Sequence, residues 1–283
     1  MNNLNKREQN ELARSAEREN CRTESNKINS LFANSKDQKL LSLYFCAGAP
    51  TLDSTADTIL TMQAKGISMI EVGIPFSDPM ADGPVIQEAA TTALKNGMSL
   101  RLLFEQLKAI KEQVSIPLVL MGYLNPIMQY GIEQFCQSCV DSGVSGVIIP
   151  DLPFDDYLES VKPAADKYDI RIIMLITPET SEERIRFIDQ NTDGFIYMVS
   201  SAAITGAQQS FDDAKQAYFR RIDQMHLRNP RMIGFGISNR QTLESAQQNA
   251  AGAIIGSKFV TLLNETNGDA DEALNRLFTA LSE

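Results

Sequence analysis

Met69-Ile70-Glu71-Val72-Gly73-Ile74-Pro75-Phe76-Ser77-Asp78-Pro79-Met80-Ala81-Asp82-Gly83-Pro84 begins as an apolar run and breaks into a loop rich in proline and aspartate. In an extended chain Ile70, Val72 and Ile74 fall on one face and Met69, Glu71 and Gly73 on the other, since successive side chains alternate. Apart from Glu71 neither face is polar, so the strand has no side meant for water. That is the pattern of a parallel sheet covered by helices. Gly83-Pro84 then opens a helix, because proline lacks only an N–H that the first helical turn leaves unpaired.

The same unit recurs along the chain. Strand-like runs at 40–47, 69–74, 117–123, 146–150, 171–177, 195–200, 232–237 and 251–256 alternate with helical patterns at 54–65, 85–114 in two pieces, 131–142, 155–168, 181–190, 212–226, 239–248 and 258–282. Eight strand-then-helix units are the number that closes into a barrel. The reading is an α/β chain: a single (β/α)8 TIM barrel with an N-terminal helix at 27–35. Residues 26–283 form the catalytic barrel domain, preceded by a mobile, polar, disordered extension at 1–25. In that extension five acids offset five bases and little can be buried. Its acids also argue against an organelle transit peptide.

Closure gathers all eight strand C-termini on one face, where this architecture keeps its active sites. Glu71, pointing inward, is expected to be buried with a raised pKa, fit to carry a proton at neutral pH. A structural glutamate held by an arginine or by tyrosines is the alternative. Gly73, one inward position further up, is expected to leave space for a ligand. Asp82 reads either as the N-cap of the next helix or as a second carboxylate over the pocket, the two acids having environments that separate their pKa values. Gly234-Phe235-Gly236-Ile237-Ser238 and Ile255-Gly256-Ser257 follow the last two strands and present backbone N–H groups at helix starts, a place suited to a phosphate. Thr205-Gly206 is placed to close that cradle from the side. With no lysine or arginine read in these turns, the anion is expected to rest on backbone dipoles and hydroxyls.

At this point the residues become specific. The run from Glu71 to Pro84 resembles the signature of the tryptophan synthase α subunit family. Similarity continues in the loop of Gly48 and Pro50, in Tyr123-Leu124-Asn125-Pro126, in Pro150-Asp151-Leu152-Pro153, and in Gly234 to Ser238 and Gly256-Ser257, over roughly residues 26–283. The resemblance implies retro-aldol cleavage of indole-3-glycerol phosphate to indole and D-glyceraldehyde 3-phosphate, a carbon–carbon lyase reaction in L-tryptophan biosynthesis. It makes Glu71 the general acid that protonates C3 of the indole ring and Asp82 the group that hydrogen-bonds the indole nitrogen. Tyr197, Tyr123, Phe235 and Thr205 become substrate contacts, and Gly206, Gly236, Gly256 and Ser257 the phosphate site. Asp78, Asn125 and Pro126 fall where the family meets its β subunit, a pyridoxal-phosphate enzyme, in an α2β2 heterotetramer. No cofactor is implied in this chain. Ser201 and Ala203 depart from the arginine and glycine that familiar members often carry in a mobile lid, and Ala49 replaces a larger or polar residue.

Composition sets the outer limits. A net charge of −10 argues against a nucleic-acid surface, and no apolar run is long enough to span a bilayer. Cys21, Cys46, Cys136 and Cys139 read as reduced thiols of a cytoplasmic chain. Cys136 and Cys139 form C-x-x-C within a helical pattern without a second pair or a nearby histidine, which reads as helix packing rather than a metal site. The one histidine, His226, reads as a surface helix end. Three alternatives stay in view: a free-standing indole-releasing lyase, a non-catalytic activating subunit, and an unrelated phosphosugar isomerase or aldolase. A Schiff-base aldolase needs a lysine inside the barrel, and none of the eight runs carries one inward.

Overall fold

Eight parallel strands pair in sequence order and the eighth closes on the first. The structure, a computed structural model, describes residues 26–35, 38–200, 213–234 and 236–283. The extension 1–25 therefore lies outside the described residues, as do Ser201, Ala203, Thr205, Gly206 and Phe235. The strands are β1 (Leu40–Cys46), β2 (Met69–Gly73), β3 (Leu118–Met121), β4 (Val144–Ile148), β5 (Arg171–Ile176), β6 (Ile196–Val199), β7 (Arg231–Gly234) and β8 (Gly252–Ile255). All eight predicted runs are found.

The boundaries differ where apolar residues continue past the pairing. β4 begins two residues before the predicted 146 and ends at Ile148, so Pro150 lies in the loop beyond it. β7 stops at Gly234 rather than 237. A helix absent from the predicted patterns, Leu124–Tyr130, begins directly after Tyr123. Pro126 obscured it, yet proline in a first helical turn removes only an N–H with no intrahelical partner. The stretch 258–282 is two helices, Ser257–Glu265 and Ala270–Ser282. Gly268 at φ +89° breaks the run and Asp269 caps the second helix by accepting from Glu272 N–H at 3.0 Å.

Side-chain alternation divides the core in two. Ile70 and Val72 join the layer between strands and helices, while Met69 packs inside the barrel with Leu40, Val119, Ile148, Ile173, Phe195, Met232 and Ile254. The inner layer also contains Ile28, from the helix Lys27–Asn34. That helix seals the N-terminal end. Asn26 caps it, accepting from Ile28 N–H at 3.0 Å, and its amide donates to the Ser145 and Asp169 carbonyls at 3.0 and 2.7 Å. Arg171 pairs with Asp169 at 2.8 Å and donates to Asn29 at 2.8 Å, and Phe32 lies against Phe195 with ring centroids 5.7 Å apart. Water is thereby kept from the barrel floor.

Ile28→Ala should leave a cavity beneath the barrel and cost about 2–5 kcal/mol of stability, measurable as a lower urea midpoint with an unchanged slope. A midpoint equal to that of the unaltered chain would mean that the helix does not seal the floor.

Candidate functional site

Glu71 sits at the middle of β2, opposite Tyr44 of β1 and Val119 of β3, and is fully buried. Its Oε1 accepts a hydrogen bond from Ser42 Oγ at 3.2 Å, and its Oε2 has no hydrogen-bond partner among the described residues. Desolvation therefore dominates. It pushes the carboxyl from 4.5 up to about 8, with the Ser42 hydrogen bond acting the other way. No arginine pairs with Glu71 among the described residues.

Tyrosines frame this carboxyl. Gly73 does not leave space for a ligand, as expected, but for a side chain of the barrel itself: a Cβ there would lie 2.1 Å from Tyr44 Oη. Gly234 performs the same service on β7, where a Cβ would lie 2.2 Å from Tyr197 Oη. Two glycines thus admit two rings, and burial holds both phenols protonated well above their usual range. Sequence reasoning found Tyr197 and missed Tyr44. The alternation of β1, with Ser42 and Tyr44 on the face that Leu40 shares, was the available signal.

Asp82 is not a helix cap. Gly83 is the N-cap of helix Pro84–Lys95, and the Asp82 carboxylate instead accepts from Tyr123 Oη at 2.9 Å. That phenol in turn accepts from Ala81 N–H at 3.0 Å, so it holds the loop and its acid together. Burial raises the Asp82 carboxyl from 3.8 to about 6, with the Tyr123 hydrogen bond opposing. The two acids are thus separated by their surroundings, with Glu71 the harder to ionise.

Both acids line one cavity, open to solvent, at the C-terminal end of the strands. Tyr44, Tyr197, Ile86, Met121, Ile237 and Ile254 give it mostly apolar and aromatic walls, while Gly236, Ser238, Gly256, Ser257 and Lys258 form the side after β7 and β8. Of the expected site residues, Glu71, Asp82, Tyr197, Gly236, Gly256 and Ser257 come together here. Tyr123 reaches the cavity through Asp82. Lys258 corrects the expectation that no cation belongs to these turns. It is the second residue of helix Ser257–Glu265, one position beyond the Gly-Ser run that was read.

Asp78 and Asn125 stand outside the cavity and are exposed, and Pro126 is half-buried. Beside them Met80 and Met128 are 82% and 59% exposed, although both are large and apolar. Asp151 supports this region by accepting from Leu124 N–H at 2.9 Å at the start of helix Leu124–Tyr130. Cys136 and Cys139 are buried, unbridged thiols of helix Ile132–Asp141. Burial pushes Cys136 up to about 11, which makes it a poor thiolate. His226 is exposed just past helix Asp213–Gln224, in the left-handed region at φ 49°.

The sequence profile of the family described as tryptophan synthase alpha chain matches residues 32–283. The chain is 68% identical to the tryptophan synthase alpha chain of Phocaeicola vulgatus over 256 residues, spanning 90% of this chain and 99% of that one. It is 64% identical to that of Parabacteroides distasonis over 258 residues, spanning 91% and 100%. Among solved structures, tryptophan synthase subunit alpha from Legionella pneumophila superimposes with a TM-score of 0.81 at 32% identity, covering 91% of this chain and 96% of that one.

The Glu71 carboxyl carries a pH signature. Folded, it holds its proton up to about 8, whereas an unfolded glutamate releases it near 4.5. Its contribution to stability is therefore intact below about 4.5 and lost as pH rises through about 8. Glu71→Gln, which cannot ionise, should gain on the unaltered chain over that window, by on the order of a few kcal/mol at pH 8. Urea unfolding of both proteins at pH 5 and pH 8 reads the gain. A difference independent of pH would show that Glu71 is not held protonated by burial.

Proposed function

The chain belongs to the tryptophan synthase alpha chain family, and from that premise we propose that it cleaves indole-3-glycerol phosphate to indole and D-glyceraldehyde 3-phosphate as a carbon–carbon lyase. Its role is that of the α subunit in tryptophan biosynthesis. The observation that carries the proposed reaction is the fully buried Glu71, raised to about 8 and with an unpartnered oxygen in the same cavity as Asp82.

Protonated at neutral pH, Glu71 donates its proton to C3 of the indole ring. Positive charge then develops on the ring nitrogen, whose N–H hydrogen-bonds to ionised Asp82. The glycerol hydroxyl next to the scissile bond returns a proton to Glu71 as its C–O becomes a carbonyl. The carbon–carbon bond breaks and its electron pair restores the aromatic ring. Protons balance: one enters at C3, one leaves the hydroxyl, and Glu71 ends as it began. Tyr44, Tyr197 and the apolar walls exclude water and hold the ring, which keeps the acid's pKa high while substrate is bound.

The opposite side of the cavity suits the phosphate. Gly256 caps helix Ser257–Glu265 without a side-chain hydrogen bond. A Cβ there would meet nothing nearer than Tyr44 at 3.7 Å, so its open side is free for a ligand. First-turn N–H groups and the Ser257 hydroxyl then serve as donors. Gly236, at φ +80°, completes the turn after β7. Gly206, Thr205 and Phe235 belong to the same proposal through the family resemblance.

Released indole passes to a β subunit, in an α2β2 assembly whose pyridoxal phosphate belongs to β. The face of Asp78, Met80, Asn125, Pro126 and Met128 supports such a partner, because two large exposed methionines need cover. Tyr123 links this face to the site, since it begins the helix carrying Met128 and donates to Asp82. The buried, unbridged Cys46, Cys136 and Cys139 fit a reducing cytoplasm.

Indole release from indole-3-glycerol phosphate by the purified chain tests the reading, with release expected to rise when a β subunit is added. No release in either case would overturn it. Glu71→Gln should lower kcat/KM by about 10³-fold or more, with the fold retained by circular dichroism. The rate should follow a bell, rising through about 6 as Asp82 ionises and falling through about 8 as Glu71 does. Ser42→Ala removes a hydrogen bond that favours ionised Glu71, so the alkaline limb should move upward while the acid limb stays. A downward move would contradict the assigned acid.

A further inference from the structure

We propose that Lys258 is the cation that anchors the substrate's phosphate and selects phosphorylated over neutral substrates. This rests on the function proposed above and names a residue that the Gly-Ser turns do not supply.

Lys258 is the only cationic residue among the described residues lining the cavity, whose acids are Glu71 and Asp82. Without it a dianionic substrate would enter a site where Glu71 is neutral and the charged side chain, Asp82, is negative, within a chain of net charge −10. Its sequence position puts it in the first turn of helix Ser257–Glu265, beside Ser257 and the uncapped Gly256, so its charge adds to the helix end. The unpartnered, fully buried Glu71 Oε2 in the same cavity marks independently that the space is built for a ligand.

Several of the other lysines are already held by a partner, while Lys95 and Lys108 are exposed and do not line this cavity. Lys65, Lys162 and Lys167 pair with Asp271, Asp166 and Glu133, and Lys27, Lys39 and Lys111 donate to the carbonyls of Val114, Ala250 and Val140. Lys258 has neither kind of partner among the described residues and is half-buried at the cavity wall. An ammonium on a flexible stem with three rotatable donors suits a phosphate as a point charge. Because it stays partly hydrated, its contribution should weaken with salt.

Inorganic phosphate is titrated calorimetrically into the unaltered chain, Lys258→Met and Lys258→Arg at low and high salt, and KM and kcat for indole-3-glycerol phosphate are measured on the same proteins. Lys258→Met should weaken phosphate binding and raise KM by about tenfold, leave kcat within about twofold, and lose most of the salt dependence. Lys258→Arg should recover to within about threefold. Phosphate affinity and KM unchanged in Lys258→Met, a fall in kcat without a change in KM, or no phosphate binding by the unaltered chain would each overturn the proposal. Phosphate binding that depends on Lys258 in a chain that releases no indole would uphold the anion site and refute the reaction.

Discussion

A carboxyl enclosed by a closed sheet is the constraint on which the remainder of this molecule depends. Glu71 is inaccessible to water because β1 and β8 complete the barrel around it and helix Lys27–Asn34 stoppers it from below. An open sheet would leave a strand edge and a wet floor, and the same glutamate would ionise near its ordinary value. The penalty of burying it is borne by a large apolar core, and a single hydroxyl, Ser42 Oγ, tempers it. Acidity at this position is thus a property of the whole barrel, expressed at one atom.

Polarity is distributed across the cavity in a way that follows from strand order. Neighbouring strands β1 and β2 bring Tyr44 and Glu71 side by side, and the loop after β2 brings Asp82 over them. The turns after β7 and β8 bring the backbone donors of Gly236, Gly256 and Ser257, with Lys258 beside them. A ligand with an aromatic end and an anionic end fits this division, because each end meets the chemistry that stabilises it. In the proposed reaction, phosphate binding would fix the ring against the acid, converting remote binding into orientation.

The outer loops are tied to the site by few but short connections. Tyr123 begins the helix after β3 and donates to Asp82 at 2.9 Å, and Asp151 in the loop after β4 steadies that helix's first turn at 2.9 Å. A partner pressing on Met80 and Met128 therefore touches elements one hydrogen bond from a site carboxylate. That proximity would give a partner bound at this face a physical route to the site.

The sequence by itself determined the barrel. Period-two alternation in β2, repeated apolar runs and the helix-opening Gly83-Pro84 pair are local properties, so eight units could be read one at a time and Glu71 assigned to the interior. The glycine turns near β7 and β8 were legible for the same reason. Tertiary structure alone decided the rest. Whether Gly73 served a ligand or the Tyr44 ring depended on a neighbouring strand, and whether Asp82 capped a helix or faced the cavity depended on Tyr123, 41 positions away in the chain. Lys258 was not read as part of the site because helical pattern does not reveal which end of a helix meets a cavity. Contacts between distant segments fix which of several chemically allowed roles a side chain takes, and no local pattern encodes them.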